Sequence, residues 1–393
     1  MLEETDAKSI EKSSILMFSF GILGLVAGIS CAVVAFLMPG EALSVLDFPV
    51  IPSKNESAVY YSDLTGVGLT NAEEKTAPAY CIQTPNGTDG ARPQAGLNQA
   101  GVVFEAIAES GITRFAAIYQ QPTAAVIGPI RSLRLYYLQW DTPFDCTIVH
   151  AGGADDALEA VRDGGYKDLS ESYTYMYRGT YGERLWNNLF TNATDLAAFS
   201  SDHGYNESHI SGFSRMTPDE AMRDRVAKSG IKFAITEPSN GDTSVIPAST
   251  PNIAVNFGGW ASFNVRYNYD GTTNTYLRSY ETGAAHEVYV CPGENLGEVN
   301  PEDYCTLEQL APTVVAVIVV DERRASDNYH EDFDTVGSGE AYIFQNGYAV
   351  KGTWKKSGVA EQIRFYDADG VEIALAPGQT FIEAVPRYGS VEY

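Results

Sequence analysis

Residues Ile15 to Met38, "ILMFSFGILGLVAGISCAVVAFLM", form an apolar run of 24 residues without a charge. As an α-helix this run would extend about 36 Å, at about 1.5 Å per residue, enough to cross the hydrocarbon core of a bilayer. Pro39 ends it. Lys8 and Lys12 precede it, and no Lys or Arg follows until Lys54, a bias that keeps the N-terminus inside. The expected order is a cytoplasmic tail (1–14), a single-pass transmembrane anchor (15–38), a polar spacer (39–57) and an extracytoplasmic bulk. A cleaved signal peptide and a lipoprotein signal are the alternatives. The first usually has a shorter apolar core. The second would place its cysteine at the end of the run, whereas Cys31 is followed by "AVVAFLM". All three readings put the rest of the chain outside the cell membrane.

That bulk has the composition of a folding sequence. Of the 393 residues 44% are hydrophobic and 20% charged, enough for two ordinary domains. The formal charge of −25 argues against nucleic acid as a partner, because phosphate backbones are bound by basic surfaces. Four cysteines follow the apolar run, an even number in an oxidising compartment. Cys291 and Cys305 flank a loop-like stretch and are candidates for a disulfide. Cys81 and Cys146 each fall in a predicted strand, as neighbours or as buried thiols.

Residues 58–215 alternate strand and helix patterns, which predicts an α/β domain. "AYCIQT" (79–84), "RFAAIYQ" (114–120) and "CTIVHA" (146–151) read as strands. "NQAGVVFEAIAESG" (98–111) places Val102, Val103, Ala106 and Ile107 at helical spacing and stops at Gly111, so a helix is expected there. "SLRLYYLQW" (132–140), "GADDALEAVRDGG" (153–165) and "ATDLAAFSSDHG" read as further helices. A linker helix is expected over 216–230, with Thr217 and Glu220 as its capping box. From 231 to 393 the pattern is all-β, a small barrel or sandwich, with a hairpin turn at Asn346-Gly347. The overall expectation is α+β.

Several stretches resemble the YerB-like family of bacterial envelope proteins, lipoproteins or anchored proteins with two domains of unknown function. They are "ARPQAGLNQAGVVFEAIAESGITRFAAIYQ" (91–120), "IGPIRSLRLYY" (127–137), "VHAGG" (149–153), "GSGEAYIF" (337–344), "GTWKK" (352–356) and "PGQTFIEAVP" (377–386). The resemblance implies a bacterial origin, export and an α/β domain followed by a β-rich one. It implies no activity. The chain departs from the family at the N-terminus, where relatives are lipidated, and at "NNLFT" (187–191), where Asn188 stands in place of a histidine.

Arg92, Arg114, Arg131 and Arg134 all lie in these stretches. Arg131 and Arg134 are expected at the start of a helix, sharing one face. Guanidinium forks suit phosphate and carboxylate, so the four are candidate ligands for an anion. The alternative is structural pairing with nearby acids. His150, Gly152 and Gly153 form a strand-turn-helix junction, read either as an anion-binding turn or as a tight turn needing glycine. No Gly-x-Ser-x-Gly elbow, HExxH pair, Walker loop or zinc spacing is present, so no cofactor or metal is expected. The favoured function is binding of an anionic cell-envelope polymer or protein partner. The alternatives are a phosphotransferase-like enzyme acting on lipid-linked envelope polymers and a scaffold for wall assembly. The enzyme reading rests on a loose similarity of this segment to the LytR-CpsA-Psr phosphotransferases. Their metal-holding aspartate beside an arginine is missing from "IRSLR".

Overall fold

Burial on both faces decides the strand pattern of the first half. The computed structural model describes residues 60–179, 187–228, 252–291, 293, 300–325 and 327–393. The tail, anchor and spacer expected at 1–14, 15–38 and 39–57 lie outside these residues, as does the end of the expected linker helix. No helix among the described residues is long and apolar enough to cross a membrane.

In chain order the main elements are β1 (Ala79–Pro85), β2 (Val102–Glu109), β3 (Ile112–Gln120), α1 (Leu135–Asp141), β4 (Thr147–His150), α2 (Asp155–Asp163), β5 (Asp168–Ser170), α3 (Ala193–His203) and α4 (Pro218–Lys228). There follow β6 (Asn252–Asn256), β7 (Val265–Asp270), β8 (Thr275–Tyr280), β9 (Val314–Val320), β10 (Gly337–Gln345), β11 (Tyr348–Lys356), β12 (Arg364–Tyr366), β13 (Thr380–Pro386) and β14 (Ser390–Glu392). The helix expected over 98–111 is instead strand β2. Val102, Phe104 and Ala106 enter one core and Val103 the other, so no polar face marks the two-residue period. Arg131 and Arg134 do not share a helix face either. The helix begins at Leu135, and Arg134 is its extended N-cap residue.

Ten strands from both halves form one mixed sheet in the order β12-β11-β10-β9-β13-β2-β3-β1-β4-β5. The halves meet where β13 pairs with β2 in parallel, with Thr380 opposite Val102 and Glu383 opposite Glu105. A second, antiparallel sheet runs β8-β7-β6-β14. The C-terminal strands therefore extend the large sheet and stack a second one on it, rather than closing into a barrel of their own. The class is α+β, as expected.

Helix α1 packs Tyr136, Tyr137 and Trp140 against one face of the large sheet, with Cys81, Phe104 and Ala116. Helix α3 packs Leu196 and Phe199 against the other, with Tyr80, Ile82 and Val103. The β10–β11 hairpin turns at Asn346 and Gly347, both at positive φ, as a two-residue turn matching strand twist requires. Cys81 and Cys146 are bonded, tying β1 to the start of β4, and Cys291 and Cys305 are bonded as well.

Candidate functional site

Strand β3 runs antiparallel to both β2 and β1, and β4 and β5 run parallel to β1. Strands β2 and β1 therefore point the same way, and β13 and β9 join them. Their carboxyl ends gather at one edge, the place where open α/β sheets usually hold ligands.

The segment carrying Arg131 is laid across that edge. The amide of Arg131 donates to the carbonyl of Gln83 at 2.7 Å, and its carbonyl accepts from the amide of Ala151 at 3.0 Å. The amide of Leu133 donates to Gly152 at 3.0 Å, and that of Ala154 donates to Leu133 at 3.1 Å. Gly152 is needed for its backbone, at φ 67°. Gly153 is needed for space, since a Cβ there would meet the Leu133 carbonyl oxygen at 3.1 Å. His150 is enclosed beneath this junction. Its Nδ1 lies 2.7 Å from the Gly152 carbonyl oxygen and its Nε2 lies 2.9 Å from Asp168 Oδ1.

Two of the four arginines share one carboxylate. Arg114 donates to Glu109 Oε1 at 2.8 Å and Arg134 donates to Oε2 at 2.6 Å. Arg114 also donates to the Ser132 carbonyl at 2.6 Å, and Arg134 to that of Leu133 at 2.9 Å. Burial alone would raise the Glu109 carboxyl, but the two guanidiniums hold it below its ordinary value. Arg114 is pushed down to about 10 by burial and by Arg134, against the pull of Glu109.

Arg131 is different. Its guanidinium makes no hydrogen bond or ion pair among the described residues, and its Nε is enclosed without a partner. Burial lowers its pKa, with Glu109 and Asp89 pulling upward and Arg134 and Arg178 downward. Two guanidiniums already divide Glu109, so Arg131 is left without a bonded carboxylate among the described residues, with Asp89 acting on it at longer range.

Arg92 is not part of that group. Thr113 and Arg114 are consecutive strand residues and face opposite sides of the sheet. Arg92 belongs to the Thr113 side. Its Nε donates to Asn86 Oδ1 at 2.8 Å, and Asn86 donates in turn to Thr113 Oγ1 at 2.8 Å. The guanidinium lies 4.0 Å from the ring centre of Tyr280.

Arg134 also borders a cleft of about 170 Å³ whose other charged groups include Asp155, Asp156, Asp327, Glu331 and Asp332. This acidic mouth repels an anion, which leaves Arg131 as the arginine offered to one. Among the described residues no cluster of three or more His, Cys, Asp and Glu has the arrangement of a metal site.

The strongest polar network escaped the sequence reading. Arg278 on β8 and Glu105 and Glu383 on the large sheet have side chains that are 0% exposed. Arg278 donates to Glu105, to Glu383 at 2.7 Å, to Tyr267 and to His286 Nδ1 at 2.8 Å. Burial, with Arg278 and Arg92 nearby, lowers His286 far below its ordinary value, so it is neutral. Its Nδ1 accepts from Arg278, which leaves Nε2 to donate to Gln94 Oε1 at 3.0 Å. The available signal was a lone charge inside an apolar strand, as in "VVFEAIA", "TYLRSY" and "TFIEAVP".

Comparison with known proteins places this architecture. Residues 64–206 match the family model described as "Protein of unknown function (DUF3048) N-terminal domain", and residues 253–382 match its C-terminal domain. The chain is 24% identical over 322 residues to the Bacillus subtilis (strain 168) protein named "Putative lipoprotein YerB", covering 81% of this chain and 85% of that one. The crystal structure of the YerB protein from Bacillus subtilis superposes with a TM-score of 0.65 at 21% identity, over 85% of this chain and 100% of the other. With both domain models matched in order and the fold shared, the chain belongs to the DUF3048 family of YerB-like proteins.

Proposed function

We propose that this protein is held at the outer face of a bacterial membrane and binds an anionic group of a cell-envelope polymer or partner at Arg131. The observation that carries the reading is the unpaired Arg131 guanidinium beside the shared Arg114–Glu109–Arg134 cluster, in a chain of net charge −25. A guanidinium partly withdrawn from water and without a bonded carboxylate suits a phosphate or carboxylate from outside. Two disulfides support an oxidising compartment. The lipoprotein name of the Bacillus subtilis relative and the apolar run at 15–38 support attachment to a membrane.

The test is retention of residues 58–393 on an immobilised phosphate-bearing wall polymer, against the same polymer stripped of phosphate. The reading expects retention that depends on phosphate and falls with salt. Equal behaviour on both polymers contradicts it.

A further inference from the structure

Arg215 lies in the connection between the two halves, at the opposite edge of the large sheet from Arg131. Its Nη1 donates to the Ala376 carbonyl at 3.0 Å and to Thr380 Oγ1 at 2.9 Å, where Thr380 opens β13. Its Nη2 donates to the Leu64 carbonyl at 2.6 Å. These acceptors are all neutral. The Nε is enclosed and has no partner. Arg278, Arg114 and Arg134 each meet a glutamate. Arg215 makes no ion pair among the described residues, and burial pushes it down to about 9 with no neighbouring charge opposing the shift.

A guanidinium carries five N–H donors, so the bonds above leave some uncommitted. Withdrawing such a charge from water is costly unless a counter-charge is supplied. Arg215 lines a cavity of about 330 Å³. Tyr60, Tyr61 and Ser62 also line it with side-chain hydroxyls, whereas the Thr217 hydroxyl at its border already donates to Glu220. Lys75 and Asp63, a 3.1 Å ion pair at the rim, cancel each other. The lining thus keeps the positive charge of Arg215. Phe213 and Met216 give it an apolar side.

We propose that this cavity binds a phosphate monoester, with Arg215 as counter-charge, Lys75 at the mouth, and the organic part of the ligand against Phe213 and Met216. The phosphate comes from a soluble metabolite or from a lipid headgroup, and the chemistry at Arg215 is the same for both. The site is independent of Arg131.

Residues 58–393 carry both sheets and both cores in one compact unit, so they serve as the test protein. Glycerol 3-phosphate is titrated by calorimetry in an Arg131→Gln background, so that the opposite edge does not contribute. Saturable binding is expected, abolished by Arg215→Gln and weakened about tenfold by Lys75→Gln, which leaves the Asp63 carboxylate at the rim without its cation to face the phosphate. A parallel arm measures capture by phosphatidylcholine vesicles with and without phosphatidic acid. Capture that needs both phosphatidic acid and Arg215 assigns the lipid source, whereas soluble binding without capture assigns a metabolite. Absence of saturable binding overturns the proposal, as does wild-type affinity in Arg215→Gln. Should Arg215→Gln fail to fold, unchanged affinity in Lys75→Gln overturns it equally.

Discussion

Glu105 and Glu383 stand opposite each other on neighbouring parallel strands, and the guanidinium of Arg278 reaches both. Two buried carboxylates and one buried cation do not balance. A proton on the pair restores neutrality, and Glu383 is pushed up to about 8 by burial first and by Glu105 second. Glu383 Oε2, which has no partner, is the oxygen free to carry that proton.

This arrangement sets a pH dependence. The folded Glu383 holds its proton up to about pH 8, whereas an unfolded glutamate releases it near its ordinary value of 4.5. Between those values the folded state binds more protons than the unfolded one, so stability falls as pH rises. The stabilisation is complete below the unfolded value and is lost as pH passes the folded one. Urea unfolding at stepped pH should show this decline, and Glu383→Gln should flatten it. An unchanged slope in the variant contradicts the shared proton.

Removing the cation should be far more costly than altering the acid. Arg278→Met leaves the Glu105 charge buried without its partner, a loss of about 3–5 kcal/mol for breaking one side of a buried pair. Glu383→Gln keeps an acceptor for Arg278 and Tyr267 and should cost about 1 kcal/mol, the scale of one hydrogen bond. Denaturant midpoints compare the two variants. Equal losses contradict this division of roles.

The sheet was legible in part, and Glu105 shows where legibility stopped. A charge in the middle of "VVFEAIA" looks like the polar face of a helix. In the fold it is a buried carboxylate whose partners, Arg278 and Glu383, lie on strands remote in sequence. Periodicity finds β1, β3, β4 and the Asn346-Gly347 hairpin because their turns and apolar runs are local. It misses β2 because both faces are covered and no alternation survives. At the candidate site the arginines were legible as residue types. Their division was not, because the sheet face that separates Arg92 from Arg114 appears only once the strand is correctly paired.

The shared carboxylate at the arginine edge supports the fold. Glu109→Gln removes the charge that balances Arg114 and Arg134, both nearly enclosed. The expected loss is about 3–5 kcal/mol. Arg131→Gln breaks no hydrogen bond or ion pair of the side chain among the described residues and should stay within about 0.5 kcal/mol of the parent. Thermal unfolding of both variants checks the contrast, and a large loss on changing Arg131 contradicts it.

The two disulfides should differ in weight. Cys81–Cys146 closes 65 residues and Cys291–Cys305 closes 14. Loop entropy assigns about 4 kcal/mol to the first and about 3 kcal/mol to the second. Paired Cys→Ala variants, unfolded under oxidising conditions, test that order. A greater loss for the shorter loop contradicts it.

Under the proposed function, Arg131 meets an anion from outside the chain. The direct measurement is the affinity of residues 58–393 for a phosphate-bearing envelope polymer, compared with that of Arg131→Gln at the same ionic strength. Loss of one charge-assisted contact, about 1.5–3 kcal/mol, predicts weakening of about ten- to a hundredfold with the fold unchanged. Equal affinity in the two proteins would rule out a binding role for Arg131.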